Sequence, residues 1–231
     1  MVYVQVLGLD LNYQMDFVDL ELSDLFRELS QVKDDLIAPI QISTQNSWVG
    51  KGGAFIGEIS AEQLKDIGCE WVVLRQYERR HVISKTSEFI GKKAAYALSQ
   101  NLKVIACVGE KLEEHEAGKT FDIYYEQLKA FTVATPSWDN IVIAYELVWA
   151  IDTGKVATPQ QAQEFMQRSV IRWERMFLLK LQLAKAIRII YGGFVNGANC
   201  AELAKKEDID GFFIGGASLK GAKFTTICNS T

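Results

Sequence analysis

Glycine pairs stand directly after two β-branched segments of the chain, where they could bind phosphate. Gly192-Gly193 follows residues 187–191, and Gly215-Gly216 follows residues 211–214. Consecutive glycines at the carboxyl end of a parallel strand expose backbone N–H groups that can cradle a phosphate. Glycines at such positions also permit tight turns without any ligand, so the residues alone leave both interpretations open.

The cysteines and histidines do not form a metal-binding motif. No Cys-x-x-Cys pair occurs, and the only histidines are His81 and His115. His115 stands in the acidic run of residues 113–116, which predicts a solvated helix entry and not a metal site. The chain is therefore expected to use no metal and no cofactor. The cysteines lie far apart and are expected to be free thiols; they are Cys69, Cys107, Cys200 and Cys228.

Short β-branched segments alternate with longer segments of helical periodicity, which is the pattern of parallel βα units. Helices are predicted over residues 17–32 and from Thr158 onward, where Pro159 suits the first helical position and Gln161 can complete a capping box. The predicted strands are Val2 to Leu9, Ile37 to Thr44, Trp71 to Leu74, Val104 to Val108, Ile141 to Tyr145, Ile187 to Tyr191 and Gly211 to Ile214. No linker rich in Pro, Gly or Ser divides the chain, so one α/β domain over residues 1–231 is expected.

Composition narrows the class of protein. The chain has 231 residues, and 25 basic against 29 acidic side chains give a net charge of −4, which argues against nucleic-acid binding. No apolar run reaches the roughly 18 residues of a membrane helix. Residues 1–32 contain one basic residue, Arg27, among six acidic ones, and do not resemble a transit peptide. The expectation is a soluble intracellular protein of the cytosol or plastid stroma.

Several long, ordered motifs resemble triosephosphate isomerase, and they are most similar to the plant plastid-type members of that family. The resemblance covers about residues 44 to 230. The motifs include Gly53-Ala54-Phe55-Ile56-Gly57-Glu58, Glu78-Arg79-Arg80-His81, Ile105-Ala106-Cys107-Val108-Gly109-Glu110, Ala144-Tyr145-Glu146, Thr153-Gly154-Lys155, Tyr191-Gly192-Gly193 and Gly215-Gly216-Ala217-Ser218-Leu219-Lys220. The resemblance implies a (β/α)₈ barrel that interconverts glyceraldehyde 3-phosphate and dihydroxyacetone phosphate in glycolysis, gluconeogenesis or the Calvin cycle.

The resemblance places the general base of the family at Glu146. This residue follows a predicted strand, and the neighbouring Tyr145, Leu147 and Trp149 would remove water from its carboxylate and raise its pKa. Without the family motif, a surface or ion-paired glutamate is the competing interpretation.

Two catalytic groups of the family have no counterpart in this sequence. The electrophilic histidine precedes Glu-Arg-Arg in the family, and Gln76 occupies that position here. An amide can donate a hydrogen bond to a carbonyl, but it cannot shuttle a proton between two oxygens as an imidazole can. The family lysine at the end of the first strand is also missing, since no lysine occurs before Lys33. Arg75, at a family glycine position, either supplies a cation or fills the site.

The implied phosphate site is altered as well. Gly215 and Gly216 are kept, but Asp152 replaces a family glycine in the lid and Phe194 replaces a family serine. Asp152 would repel a dianion, and Phe194 lacks a hydroxyl donor. Three hypotheses follow: a degenerate family member with impaired or absent isomerase activity, a working isomerase in which Gln76 and Arg75 substitute, and a non-catalytic triose-phosphate-binding or protein-interaction protein.

The number of strands predicts an incomplete barrel. From the strand at Ile37 onward the βα units match the third to eighth of the family, which leaves one unit over residues 2–32 where the family has two. About seven units with an exposed strand edge and reduced stability are therefore expected. The family dimerises through a loop that corresponds to residues 46–58, so a homodimer through that loop is the expected protein partner.

Overall fold

Seven parallel strands form one curled sheet in the computed structural model, which describes residues 2–5, 41–81, 86–135, 137–147, 158–160, 162–163, 166–167 and 187–230. The strands are β1 (Val2–Gln5), β2 (Ser43–Thr44), β3 (Trp71–Leu74), β4 (Lys103–Val108), β5 (Ile141–Glu146), β6 (Arg188–Gly192) and β7 (Gly211–Ile214). Their order across the sheet is β1-β7-β6-β5-β4-β3-β2. Since β1 and β2 stand at the two edges, the described part of the chain forms an incomplete barrel, as the sequence predicts.

All seven predicted strands are present. β1 covers the first part of the predicted Val2 to Leu9 strand, and β2 covers the end of the predicted Ile37 to Thr44 strand. Residues 6–40, including the predicted helix over residues 17–32, lie outside the described residues. The match in the rest of the sheet follows from nearly continuous apolar segments, which are typical of strands buried on both faces.

The pleat of the strands divides their side chains between two cores. Alternate strand residues form a cluster made of strand side chains, with Trp71 packed against it, on the concave face of the sheet. The members of this inner cluster are Val73, Ile105, Cys107, Val142, Ala144, Ile190 and Phe213. The intervening residues, such as Val72, Val104 and Ile143, pack against the helices on the other face. The next inward positions, just beyond this cluster, are at the carboxyl ends of the strands.

Helices cover the outer face. They are α1 (Ala61–Asp66), α2 (Tyr77–His81), α3 (Ser87–Ser99), α4 (Leu112–Glu116), α5 (Thr120–Ala134), α6 (Cys200–Leu203) and α7 (Gly221–Cys228), with a 3₁₀ helix over Gly216–Leu219. The predicted helix start is confirmed, because the Ala162 N–H donates to the Thr158 carbonyl at 2.9 Å. Gln161 and residues 173–186 lie outside the described residues. Among the helices that are described, none is long and apolar enough to cross a membrane.

Helices α3 and α5 approach each other closely at a glycine. Gly91 of α3 is buried, and a Cβ built on it would overlap the Ala130 carbonyl of α5 and lie 3.3 Å from the Ala134 Cβ. Glycine is unfavourable inside a helix by about 1 kcal/mol relative to alanine. Its presence here is explained by the distance between the two helices, since any side chain would force them apart.

Replacing Gly91 with alanine therefore tests this packing. We expect Gly91→Ala to lower the free energy of unfolding by about 1–3 kcal/mol, because overpacking outweighs the gain in helix propensity. Gly221→Ala is the matched control, since a Cβ at that helical position meets nothing within 4 Å. Urea unfolding of both variants measures the difference, and a Gly91→Ala protein as stable as the control would show that the helices can separate without cost.

Candidate active site

Glu146 lies at the carboxyl end of β5 and on the inward face of the sheet. Val142 and Ala144 belong to the inner cluster, so the pleat directs Glu146, two residues further on, to the mouth of the barrel. Its side chain is buried, with 5% of the residue exposed. Leu147, which was expected to enclose Glu146, is buried in the same core cluster as Tyr145 and not in the inner cluster. Trp149 lies outside the described residues.

Tyr145 does not enclose Glu146, which corrects the expectation from the sequence. As the adjacent strand residue, Tyr145 points to the helix-covered face, and its hydroxyl donates to Glu110 at 3.1 and 3.2 Å. It also stacks on Tyr124, with 5.2 Å between the ring centroids. Period-2 alternation therefore places these two neighbouring side chains on opposite faces of the sheet.

A buried ion pair holds the Glu146 carboxylate. Arg80 of α2 donates through Nη2 to Glu146 Oε2 at 3.1 Å, and both side chains are almost fully buried. Arg80 Nη1 also donates to the Cys107 carbonyl of β4 at 3.4 Å. Glu146 is therefore ion-paired, which was the competing interpretation of this residue. The ion pair is compatible with a role as a base, because it positions the carboxylate.

Burial raises the pKa of Glu146 from 4.5 to about 7. The loss of water around the carboxylate is the main cause, and the nearby charge of Glu78 acts in the same direction. Arg80, the backbone N–H of Tyr77 and Arg75 oppose the rise. A carboxylate with a pKa close to 7 can both accept and release a proton near neutral pH.

Arg75 follows β3 and adopts a backbone conformation that is unusual for its type. Its φ of +70° lies in the left-handed region, and the residue is buried. The guanidinium donates through Nη2 to Ser87 Oγ at 3.0 Å. Burial and the neighbouring Arg80 lower the pKa of Arg75 to about 9, against the attraction of Glu126 and Glu146. Arg75 therefore remains a cation at neutral pH.

Gln76 joins Arg75 to helix α2. Its carbonyl accepts the Arg80 N–H at 3.0 Å, which begins the helix, and its side chain is half-buried. The next residue, Tyr77, contributes a backbone hydrogen bond to Glu146. The segment that carries Gln76 is thus next to the Glu146 carboxylate.

The two glycine pairs differ in what surrounds them. A Cβ on Gly192 would lie 2.8 Å from the Tyr145 carbonyl, and one on Gly193 would overlap the Tyr191 hydroxyl, so both glycines are required by packing. Gly215 and Gly216 have nothing within 4 Å of such a Cβ and lead into the 3₁₀ helix. The open space needed for a phosphate therefore lies at the pair that follows β7.

The remaining predicted phosphate-site residues are less informative. Phe194 is 56% exposed, and its backbone carbonyl accepts the Asn199 Nδ2 at 2.7 Å, so its ring does not contribute to the core. Asp152 lies outside the described residues.

His115 is exposed to solvent, as the acidic run predicts, but it also contacts a buried carboxylate. Its side chain is 42% exposed, but Nδ1 lies 3.3 Å from Oε1 of the buried Glu110 and 3.3 Å from Thr120 Oγ1. Burial raises the pKa of Glu110, and His115 and Tyr145 counteract the rise. This cluster faces the helices and not the barrel mouth.

Arg80 is the site residue that the sequence did not assign. The Glu78-Arg79-Arg80 motif carries part of the family resemblance, but it assigns no role to either arginine. The available signal was position, because a helix that directly follows β3 begins at the carboxyl edge of the sheet, where Glu146 also lies. Only the fold could choose Arg80 over Arg79 as the ion-pair partner.

The fold and the site together define a barrel-type α/β protein with a buried carboxylate at the carboxyl mouth and an open glycine pair two strands away. The family model of triosephosphate isomerase matches residues 5–231. The chloroplastic triosephosphate isomerase of Arabidopsis thaliana is 65% identical over 213 residues, which span 92% of this chain and 67% of the relative. The chloroplastic enzyme of Secale cereale is 63% identical, over 92% of this chain and 71% of the relative.

The chain belongs to the triosephosphate isomerase family. The cytosolic triosephosphate isomerase of Stellaria longipes is 52% identical over 216 residues, 93% of this chain and 83% of the relative. The higher identity to the chloroplastic relatives agrees with the plastid-type motifs in the sequence.

The pKa of Glu146 makes stability depend on pH in a defined direction. The pKa of Glu146 is about 7 in the folded protein and 4.5 for an ordinary glutamate, as in the unfolded chain. Between these pH values the folded protein therefore keeps a proton that the unfolded chain releases. Stability is therefore lost as the pH rises through this window, by roughly 2–3 kcal/mol. Glu146→Gln removes the titration and should gain this amount relative to the unsubstituted protein between pH 5 and pH 9.

Urea unfolding at pH 5, 7 and 9 measures this difference. Glu116→Gln, at an exposed position of α4, is the control and should unfold like the unsubstituted protein throughout. A relative gain of Glu146→Gln towards acid pH would show that the ion pair with Arg80, and not desolvation, controls the titration.

Proposed function

We propose that this chain binds triose phosphate at the barrel mouth and has a strongly impaired triosephosphate isomerase activity with Glu146 as its base. The observation that supports the proposal most directly is the buried Glu146 carboxylate with its raised pKa at the end of β5. In the family reaction, such a base removes a proton from one carbon of the triose phosphate and returns it to the adjacent carbon. Near pH 7 both protonation states of Glu146 are populated, as this cycle requires.

The reaction also needs a group that stabilises negative charge on the substrate oxygens and transfers a proton between them. When the carbon loses its proton, negative charge develops on the neighbouring carbonyl oxygen, and a proton must then move between the two oxygens. Gln76 can donate an amide N–H to the oxygen that gains charge. It cannot take up and release a proton at neutral pH, so the second part of the task has no group at this position.

The phosphate end is supported by Gly215 and Gly216. Their surroundings are open, and the backbone N–H groups at the start of the 3₁₀ helix are the donors that a phosphate would contact. Phe194 provides no hydroxyl donor on the β6 side. We therefore expect weakened but not abolished phosphate binding.

The combined losses argue for low turnover. Removal of one preorganised hydrogen-bond donor typically costs about two to three orders of magnitude in rate. Such effects within one catalytic unit are not additive. Without the histidine and the lysine of the family, however, Glu146 lacks two groups that stabilise the charge developing on the substrate.

A coupled isomerase assay tests this proposal. We expect purified protein to interconvert glyceraldehyde 3-phosphate and dihydroxyacetone phosphate with kcat/KM at least about 10³-fold below that of the Arabidopsis thaliana chloroplastic enzyme measured in parallel. Glu146→Gln should abolish the residual rate, whereas Glu116→Gln should leave it unchanged. A rate close to that of the comparison enzyme would contradict impairment and favour Gln76 and Arg75 as working substitutes.

An interaction function is favoured by the loop over residues 46–58. Ile56 is 95% exposed at its tip, and Phe55 beside it is partly exposed and stacked on Trp48 at 4.5 Å between centroids. The loop is held in place by the buried Lys93, whose Nζ donates to Asn46 Oδ1 at 2.8 Å. A large apolar side chain on a fixed loop is suited to a protein interface, so we propose that a second copy of this chain packs on this loop.

Sedimentation velocity tests the proposed homodimer. We expect Ile56→Asp to weaken self-association by about tenfold or more, because an apolar interface residue is replaced by a charge. Val133→Asp is the matched control, since Val133 is an exposed apolar residue, 78% accessible, on α5 and outside the loop. Equal effects of the two substitutions would show that the loop is not a specific interface.

A further inference from the structure

Arg75 carries more hydrogen-bonding capacity than the folded chain uses. Only 7% of the residue is exposed, and Nη2 is paired with Ser87 Oγ at 3.0 Å. Nε and Nη1 are buried and have no hydrogen-bond partner among the described residues. Three of the five N–H groups of the guanidinium belong to these two nitrogens, and an unsatisfied buried donor is unfavourable.

The backbone conformation of Arg75 is also unfavourable for the stability of the fold. Its φ of +70° is a conformation that side chains other than glycine rarely adopt, and Asn101 is the other described non-glycine residue with a positive φ. Residues held in such conformations persist where the surrounding structure over-determines them, and they cluster at ligand sites. Neither the backbone nor the hydrogen bonding of Arg75 is therefore explained by stability.

The charges around Arg75 favour an anion. Glu146 at the mouth is already neutralised by Arg80, at 3.1 Å. Arg80 repels the Arg75 cation, and Glu126, the carboxylate that attracts it besides Glu146, is exposed to solvent. Two guanidinium groups thus accompany one buried carboxylate, which leaves a positive charge that a small anion can balance.

The strand order shows which end of a ligand Arg75 can reach. The sheet runs β7-β6-β5-β4-β3, so Glu146 on β5 lies between the open glycines after β7 and Arg75 after β3. Neighbouring strands are about 4.8 Å apart, which places each of these positions roughly 10 Å from Glu146 along the sheet. A phosphate at Gly215 and Gly216 would therefore direct the carbon end of the ligand, with its oxygens, towards Arg75.

We propose that Arg75 is a ligand-binding residue whose unpaired Nε and Nη1 donate to a negatively charged oxygen at the carbon end of a small phosphorylated ligand. This assignment rests on the proposed function for the location of the phosphate. The guanidinium is attached to the chain through a flexible stem and one hydrogen bond to Ser87, so rotation about the stem presents both nitrogens to the ligand. The donors then gain the partner that they lack in the free protein.

Calorimetric titration with two ligands tests this assignment. 2-Phosphoglycolate carries a phosphate and a charged carboxylate, whereas glycerol 3-phosphate carries the phosphate with neutral hydroxyls. We expect Arg75→Gln and Arg75→Gly to weaken 2-phosphoglycolate binding by about 10- to 100-fold, the range for hydrogen bonds to charged groups. Glycerol 3-phosphate affinity should change less than about threefold, and Arg75→Lys should keep part of the selectivity. Lys205→Gln, an exposed residue after α6, controls for net charge.

Thermal unfolding of the unliganded variants separates a binding role from a packing role. Arg75→Gly relieves the left-handed backbone and removes the unpaired donors, so its Tm should rise by about 2–6 °C while affinity falls. A Tm that falls together with affinity would assign Arg75 to packing. Equal losses for both ligands would place Arg75 at the phosphate and overturn the assignment.

Two further outcomes also overturn the assignment. One is unchanged 2-phosphoglycolate binding in Arg75→Gly, and the other is no binding by the unsubstituted protein. The isomerase assay is independent of these measurements, since Arg75-dependent binding without turnover contradicts only the activity. If the unsubstituted protein turns over substrate and Arg75→Gly does so at the same rate, only the role of Arg75 is contradicted.

Discussion

The buried contact between Arg80 and Glu146 organises the barrel mouth. The Arg80 guanidinium, on α2, donates to the Glu146 carboxylate at the end of β5 and to the Cys107 carbonyl of β4. It therefore connects three consecutive βα units. A buried ion pair is weak evidence of stability, because desolvation of both charges offsets their attraction. Its effect here is positional, and it keeps a carboxylate with an elevated pKa in one place and partly ionised near neutral pH.

Much of the fold follows from local patterns in the sequence. Apolar segments of strand length, separated by helical patterns, predict the seven strands, and the strand predicted up to Tyr145 places Glu146 at its end. Period-2 alternation, applied strictly, would also have placed Tyr145 on the face opposite to Glu146, where it contacts Glu110. Residues that are adjacent in the sequence of a strand point to opposite faces, so Tyr145 does not shield Glu146 from water.

Other features of the site depend on tertiary structure and could not be predicted in this way. Arg80 and Glu146 are 66 residues apart, and nothing local distinguishes Arg80 from Arg79 as the partner. The pairing of His115 with Glu110 requires a loop geometry that an acidic run does not reveal. For Arg75 the sequence leaves open whether the residue supplies a cation or fills the site, because its left-handed backbone and its unpaired nitrogens are properties of the folded chain.

Binding of a triose phosphate and its isomerisation require different chemical groups at the barrel mouth. Binding an anionic triose requires positive charge and N–H donors, which Arg75 and the open glycines after β7 can provide. Isomerisation also requires a group that exchanges protons with the substrate oxygens at neutral pH. The pKa of Arg75, about 9, keeps it protonated, a guanidinium has no acceptor atom, and the amide of Gln76 does not titrate. The chemistry of these residues is therefore consistent with the proposal that this chain binds a triose phosphate and converts it slowly.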